Sequence, residues 1–254
     1  MSDVRVSMDG HVGIAEICRA PNNFFDIDLI AELGEAFEAF DRDVQCRSIV
    51  LAAEGKNFCA GANFTNPALD VVTRPSGGHL YQQAVRLFRG AKPVVAAVQG
   101  AAVGGGLGLA LVADFRVASP ETRFSANFNR LGFHPGFGIS LTLPRVVGAQ
   151  KAALMLYTGR RVTGEQAFEM GLADILVPQA ELRQAALALA TEIAQSAPLA
   201  VIATRATQRR GLADAIAAIT EHELAEQQRQ FKTADFKEGV QAMTDRRLPL
   251  FTGR

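Results

Sequence analysis

The chain has 254 residues, 48% of them hydrophobic and 20% charged, proportions ordinary for a globular protein. Lysine plus arginine equals aspartate plus glutamate at 26 each, so no net field draws nucleic acid or an anionic membrane to it. Cys18, Cys46 and Cys59 make no disulfide framework and no CxxC pair, which argues against a zinc site. The opening MSDVRVSMDG is polar and lacks an apolar signal core, and no uncharged run approaches the roughly 18–20 residues of a membrane span. These features predict a soluble, cytoplasmic protein whose length supports a sizeable core without staples.

In chain order, Val12–Cys18 reads as an early strand. Asp26 and Asp28 then precede Leu29, Ile30, Leu33, Phe37 and Phe40, a helical spacing with acids at its start. Ser48–Ala52 is a short apolar run and predicts a buried strand, followed by a turn at Glu54–Asn57. The stretch from Asn66 to Gly78 holds two prolines and two glycines and reads as an irregular loop. A helix is predicted over Leu80–Phe88 and a buried strand over Pro93–Gln99. The latter runs through Gly100 and Gly104–Gly106 into an apolar helix, Leu107–Val112. Asp114–Ala118 is the next strand, and Phe124–Gly138 reads mostly as loop. From Ala149 the pattern is mainly helical, with a brief extended break at Ile175–Val177. Strands alternating with helices predict an α/β layered fold with buried parallel strands.

Two turns built from small residues follow two of these strands: Phe58-Cys59-Ala60-Gly61-Ala62-Asn63-Phe64 and Gly100-Ala101-Ala102-Val103-Gly104-Gly105-Gly106-Leu107. Small residues let a ligand approach the backbone, and the second turn opens a helix whose first N–H groups lack internal acceptors. Two such turns converging on one carbonyl oxygen would form an oxyanion hole, in which a donor contributes about 3–4 kcal/mol to transition-state stability. Tight packing alone would also explain the glycines. A dinucleotide fingerprint does not, because Gly104, Gly106 and Gly108 fall as GxGxG rather than GxGxxG.

The pair FCAGAN and PVVAAVQGAAVGGGLGLALVADFRVAS resembles the paired signature of the crotonase (enoyl-CoA hydratase/isomerase) superfamily, FxAGAD and PxIAAVxGxxxGGGxELAxxCD. The likeness continues in FSANFNRLGFHPGFGISLTLPRVVG, in TGRRVTGEQAFEMGLAD and in the tail DFKEGVQAMTDRRLPLFTGR, so it spans nearly the whole chain. It implies an α/β fold of crotonase type: a ββα spiral core over residues 1–190 and a helical C-terminal subdomain over 191–254, involved in trimerisation. It also implies a homotrimer or a dimer of trimers. The substrate would be an acyl-coenzyme A thioester, with no covalently bound cofactor, no metal, and no nucleic-acid or membrane partner. Carried over by position, Ala62 and Gly105 supply the two oxyanion N–H groups. Ala60, Asn63, Phe64, Gly104, Phe128 and Pro135 border the ligand. Arg205 stands near the nucleotide phosphates, and Phe231 with Arg246 and Arg247 reaches the coenzyme from the C-terminal segment.

The departures from the pattern bear most on function. A hydratase of this family carries one glutamate at the position of Gly108 and another at that of Phe128; the acid of the dienoyl isomerases and of a dehalogenase falls at Gly136. None of the three residues present can move a proton, whereas addition of water needs a positioned carboxylate. His134, in the loop the family turns toward the acyl group, is the remaining candidate acid or base. The expected activity is therefore an atypical acyl-CoA reaction such as decarboxylation, hydrolysis, C–C cleavage or isomerisation. The alternative is a non-catalytic acyl-CoA-binding or scaffold protein.

Overall fold

The computed structural model describes residues 2–63 and 79–254. Its elements, in chain order, are β1 (Val4–Asp9), β2 (Val12–Ile17), α1 (Ile27–Arg42), β3 (Ser48–Ala53), α2 (Leu80–Arg89), β4 (Val94–Val98), β5 (Ala101–Val103), α3 (Gly105–Ala110), β6 (Phe115–Ala118) and β7 (Arg123–Ser125). A 3-10 turn (Asn127–Leu131) leads into α4 (Ile139–Val147), α5 (Ala149–Thr158), β8 (Arg161–Thr163), α6 (Gly164–Glu169), β9 (Ile175–Leu176), α7 (Leu182–Ala194), α8 (Pro198–Gln208), α9 (Leu212–Gln230) and α10 (Ala234–Thr244). The loop expected between Asn66 and Gly78 lies outside the described residues.

A six-stranded sheet runs β1-β2-β3-β4-β6-β9, and a three-stranded sheet runs β5-β7-β8. Strand pairs split between the two sheets: β4 joins the first and β5 the second, then β6 the first and β7 the second. Each pair is followed by a helical segment, which winds the chain into the expected spiral of ββα turns. The N-terminal stretch, read from sequence only as polar, is the antiparallel partner of β2, with Val4 opposite Ile17 and Asp9 opposite Val12.

Both faces of the central strands are covered, as continuous apolar runs require. Alternate residues of β3 and β4 divide cleanly. Ile49, Leu51, Val94, Ala96 and Val98 join the main core with α1. Val50, Ala52, Val95 and Ala97 face α7 instead, against Leu182, Ala186, Ala190 and Ala194. Alanine at three positions four apart lets α7 lie close on the sheet. Its last turn is tied down by Ser48, whose hydroxyl donates to the Ala190 carbonyl at 2.7 Å, and by Arg47, which donates to that of Ala194 at 3.2 Å. A division at 190/191 therefore falls inside a continuous helix that belongs to the sheet layer. Helices α8, α9 and α10 follow it.

Local signals account for several elements. Asp26 caps α1 by accepting the Leu29 N–H at 3.0 Å. Helix α4 begins directly after the segment expected to be loop, in a stretch for which the sequence predicts no element. Its first turn has no local side-chain cap, and Gly138 before it is left-handed at φ 72°. The cap comes instead from Glu223 on α9, which accepts the N–H groups of Gly138 at 2.8 Å and Ser140 at 3.1 Å. No single described helix is long and apolar enough to cross a membrane.

Candidate active site

The two small-residue turns meet. Cys59 and Ala102 form a parallel bridge: Cys59 N–H donates to the Ala101 carbonyl at 2.9 Å, and Val103 N–H donates to the Cys59 carbonyl at 3.1 Å. This contact explains the glycines. A Cβ on Gly106 would lie 2.1 Å from the Cys59 oxygen, and one on Gly61 (φ 89°) would lie 2.7 Å from the Val103 oxygen and 4.0 Å from the Gly105 nitrogen. The stretch ending at Ala62 is thus held beside the first residue of α3. Gly105 N–H is the opening donor of that helix and lacks an intrahelical acceptor. Among the described residues no backbone acceptor takes the Ala62 N–H either.

Both residues line a cavity of about 70 Å³. Its walls are Phe25, Leu80, Val103, Leu131, Phe133, Phe137 and Met243, with Ala60, Gly104, Phe128 and Phe231 from the residues expected to border a ligand. Phe25 stands against both turns: its N–H donates to the Gly61 carbonyl at 3.1 Å, and its ring fills the space where a Gly105 side chain would be. Phe128, Phe133, Phe231 and Phe236 form an aromatic cluster, with ring centroids 5.5 Å apart for Phe128–Phe133 and 5.1 Å for Phe133–Phe231. This cluster joins the loop after β7 to the start of α10, so the C-terminal helices close one side of the cavity.

The cavity adjoins a wider groove of about 980 Å³ that shares Val103, Asn127, Leu131 and Met243 with it. Arg130, Arg160, Arg161, Arg246 and Arg247 border the groove. Arg247 is paired with Glu238 and Asp245, whereas among the described residues no carboxylate pairs with Arg161 or Arg246.

Other expected residues fall elsewhere. Arg205 does not line the cavity. Its guanidinium is buried, pairs with Asp114 at 2.8 Å and donates to the Gly90 carbonyl. Arg209 pairs with the other oxygen of Asp114 at 2.7 Å, so this cluster clamps α8 to the start of β6. His134 does not line the cavity either. Its Nδ1 lies 2.8 Å from the Pro135 carbonyl, and its ring packs edge-on to His222 with centroids 5.7 Å apart. Its backbone carbonyl is the part that supports the site, accepting from Gln227 at 2.8 Å. Pro135 is likewise set back, and Gly136 and Phe137 reach the cavity in its place. Asn63 is half-buried and follows the cavity residue Ala62 without itself lining the cavity. Phe64 lies outside the described residues.

Neighbours fill the side-chain space at two of the three expected acid positions. A Cβ on Gly108 would lie 2.7 Å from the Phe137 Cβ, and one on Gly136 would lie 1.8 Å from the Tyr81 hydroxyl. Phe137 holds a left-handed backbone at φ 63°, a conformation that costs a non-glycine residue about 1–2 kcal/mol and persists where packing over-determines it. Phe128, at the third position, is buried in the aromatic cluster. Among the described lining residues Tyr81 is the one titratable side chain, and burial raises its pKa, so it stays protonated at neutral pH. Burial also drives the Cys59 thiol up to about 12, which leaves it inert.

Gln227 was not expected from the sequence. A signal existed: Ile216, Thr220, Glu223 and Gln227 are the buried residues of α9, spaced four, three and four apart, and three of them are polar. A polar stripe on the buried face of a helix marks groups held for a purpose other than packing. Burial pushes the Glu223 carboxyl up to about 7, even though the N–H groups of Ser140 and Gly138 oppose the shift.

Two outcomes follow. Gly108→Glu has to displace Phe137 and should destabilise the fold by about 1–3 kcal/mol in urea unfolding; a neutral substitution would mean that the space is open. For Glu223, the folded carboxyl holds its proton up to about pH 7 while the unfolded one loses it near 4.5, so stability falls as pH rises between these values. The unfolding free energy of the wild type relative to Glu223→Gln should therefore decline by about 3 kcal/mol across that window. A flat difference would contradict the burial of this acid.

The sequence model of the enoyl-CoA hydratase/isomerase family matches residues 10–254. A probable enoyl-CoA hydratase of Mycobacterium tuberculosis (strain ATCC 25618 / H37Rv) is 35% identical over 248 residues, covering 91% of this chain and 85% of that one. The carnitinyl-CoA dehydratase of Salmonella typhi is 34% identical over 245 residues, with 93% of each chain covered. Among solved structures, an enoyl-CoA hydratase/isomerase from Pseudoalteromonas atlantica T6c superposes with a TM-score of 0.89 at 29% identity, covering 99% of this chain and 100% of that one. With its spiral ββα core and its paired glycine turns, the chain belongs to the enoyl-CoA hydratase/isomerase family of the crotonase superfamily.

Proposed function

We propose that this protein binds an acyl-coenzyme A thioester and stabilises the oxyanion or enolate derived from it, in a reaction that draws on no carboxylate of the usual hydratase pair. The observation that supports the reading is that Ala62 and Gly105, on two turns held together by the Cys59–Ala102 bridge, both line a largely apolar cavity with no carboxylate, imidazole or amine among its described lining residues. Two fixed donors facing a developing negative charge act strongly in a dry site and need no reorganisation as the charge forms. The thioester oxygen would accept from both. The acyl chain would lie among Phe25, Phe128 and Phe137, and the coenzyme would leave through the adjoining groove. The arginines of that groove suit phosphate groups, Arg161 and Arg246 best, because no described carboxylate competes for them and, unlike Arg130 and Arg160, they are not bonded to Thr158.

The proton chemistry would be carried by water or by the substrate itself. Thioester hydrolysis, isomerisation or C–C cleavage of a neutral acyl group suit this environment. Decarboxylation of a malonyl-type group suits it less well, since among the described residues no cation lines the cavity to hold the carboxylate. A non-catalytic acyl-CoA-binding protein is the second reading, favoured by the same lack of proton-transfer groups. The homotrimeric or hexameric assembly of the resemblance is carried forward as part of the proposal.

The test is incubation with a panel of acyl-CoA thioesters, followed by mass spectrometry. Conversion of a neutral acyl-CoA with crotonyl-CoA hydrated orders of magnitude below ordinary enzyme turnover is the expected result. Rapid hydration of crotonyl-CoA would overturn the reading, and binding without conversion of any thioester would establish the second one.

A further inference from the structure

Strand β1 is the terminal strand of the six-stranded sheet, and every residue from Arg5 to Asp9 is exposed. Val6 and Met8, at 50% and 40% exposure, share a face of the strand with the buried Val4. An open row of backbone N–H and C=O groups beside exposed apolar side chains is a place where another strand can add.

The β1–β2 ladder determines which groups are open. Opposite residues of an antiparallel pair alternate between those that exchange hydrogen bonds and those that do not. Cys18 N–H donates to the Asp3 carbonyl at 2.8 Å, and these two residues are opposite in the register that sets Val4 against Ile17. The bonded pairs that follow are Arg5–Glu16, Ser7–Ile14 and Asp9–Val12. The far side of β2 shows the same alternation, because His11 and Ile17 turn their carbonyls to the N–H groups of Arg47 and Glu54 at the ends of β3. Arg5, Ser7 and Asp9 are thus committed to β2, and Val4, Val6 and Met8 turn their backbone groups outward. Glu32 on α1 closes the first of these by accepting the Val4 N–H at 3.2 Å. Val6 and Met8 stay open.

We propose that the β1 edges of two copies of this chain pair antiparallel about a twofold axis at Ser7, joining their sheets into one. The occupant is a second copy because the strand is complementary to itself. A twofold axis through a residue, rather than between two, opposes outward-facing residues to one another and lets them bond. With the axis at Ser7, Val6 meets Met8 of the second copy, which supplies both the backbone bonds and an apolar side-chain pair. On the other face Arg5 meets Asp9 of the second copy, an opposite-charge pair. An axis at Val6 or at Met8 sets Arg5 or Asp9 against Ser7 and pairs no charge. Arg5 is 61% exposed and holds Glu16 of its own chain at 2.9 Å, whereas among the described residues no cation pairs with Asp9. Across the joined sheet the charges then alternate from Glu16 to Arg5 to Asp9. The contact is independent of the acyl-CoA reading.

Register-specific cross-linking tests it. Ser7 faces Ser7 of the second copy as a non-bonded pair, with Cα atoms about 4.5 Å apart, within the span of a disulfide. Ser7→Cys should therefore link most of the protein into covalent dimers in a glutathione redox buffer, read on non-reducing gels, and the wild type with its own three cysteines should not. Arg5→Cys and Asp9→Cys should link only when the two are co-expressed. Val6→Pro removes an outward N–H without touching a bond to β2, and in sedimentation it should lower the mass of the assembly by half or more. Failure of Ser7→Cys to cross-link would overturn the inference, as would self-linking of Asp9→Cys. An unchanged mass in folded Val6→Pro would also overturn it, and if Val6→Pro does not fold, the cross-linking decides alone.

Discussion

The carbonyl of Cys59 passes so close to Gly106 that a single added carbon there would sit 2.1 Å from it. That approach brings the turn after β3 against the turn after β5, and the rest of the site depends on it. The parallel bridge between Cys59 and Ala102 holds the two turns in register, and the register sets the Ala62 backbone beside that of Gly105. The fold supports the contact from both sides of the sheet. The main core packs beneath it, and α7 closes the far face with alanines small enough to let the helix lie flat. The donors proposed for this site are backbone atoms, whose precision would come from strand pairing and not from rotamers.

Around those donors the chain has replaced charge with packing. Phe25 stands over Gly105, Phe137 occupies the space beside Gly108, and Phe128 is locked into an aromatic cluster with Phe133. The acid positions of the family are therefore not open sites awaiting a carboxylate. Two of them are held shut by a neighbouring side chain: Phe137 adopts a left-handed backbone to pack at 108, and the Tyr81 hydroxyl comes to rest where a side chain at 136 would be. The tyrosine replaces an ionisable group with a neutral polar one, and burial keeps it neutral.

Backbone features were legible in the sequence. The glycine spacing of the two turns, the apolar strands before them and the helix that opens at Gly105 all follow from local composition, because close approach demands small residues wherever it occurs. Side-chain direction was not legible. Arg205 was expected beside phosphates, but Asp114, 91 positions away in sequence, draws it into a buried pair. His134 lies in the expected loop, yet its ring turns to the Pro135 carbonyl and to His222, and its own carbonyl is what serves the site. Helix α4 escaped detection for the same reason, since its cap is supplied by Glu223 from α9. The polar stripe of α9 was present in the sequence at helical spacing, but only the packed structure shows that Gln227 reaches the cavity while Glu223 caps α4.

The central claim is that the Ala62 and Gly105 N–H groups hold a thioester oxygen. The most direct measurement is the carbon-13 resonance of butyryl-CoA labelled at the thioester carbonyl, free and bound to the protein. Two donors on that oxygen polarise the carbonyl, so the bound resonance should move downfield, and Ala62→Pro, which removes one donor, should reduce the displacement. A bound thioester whose carbonyl resonates where it does in water would contradict the account.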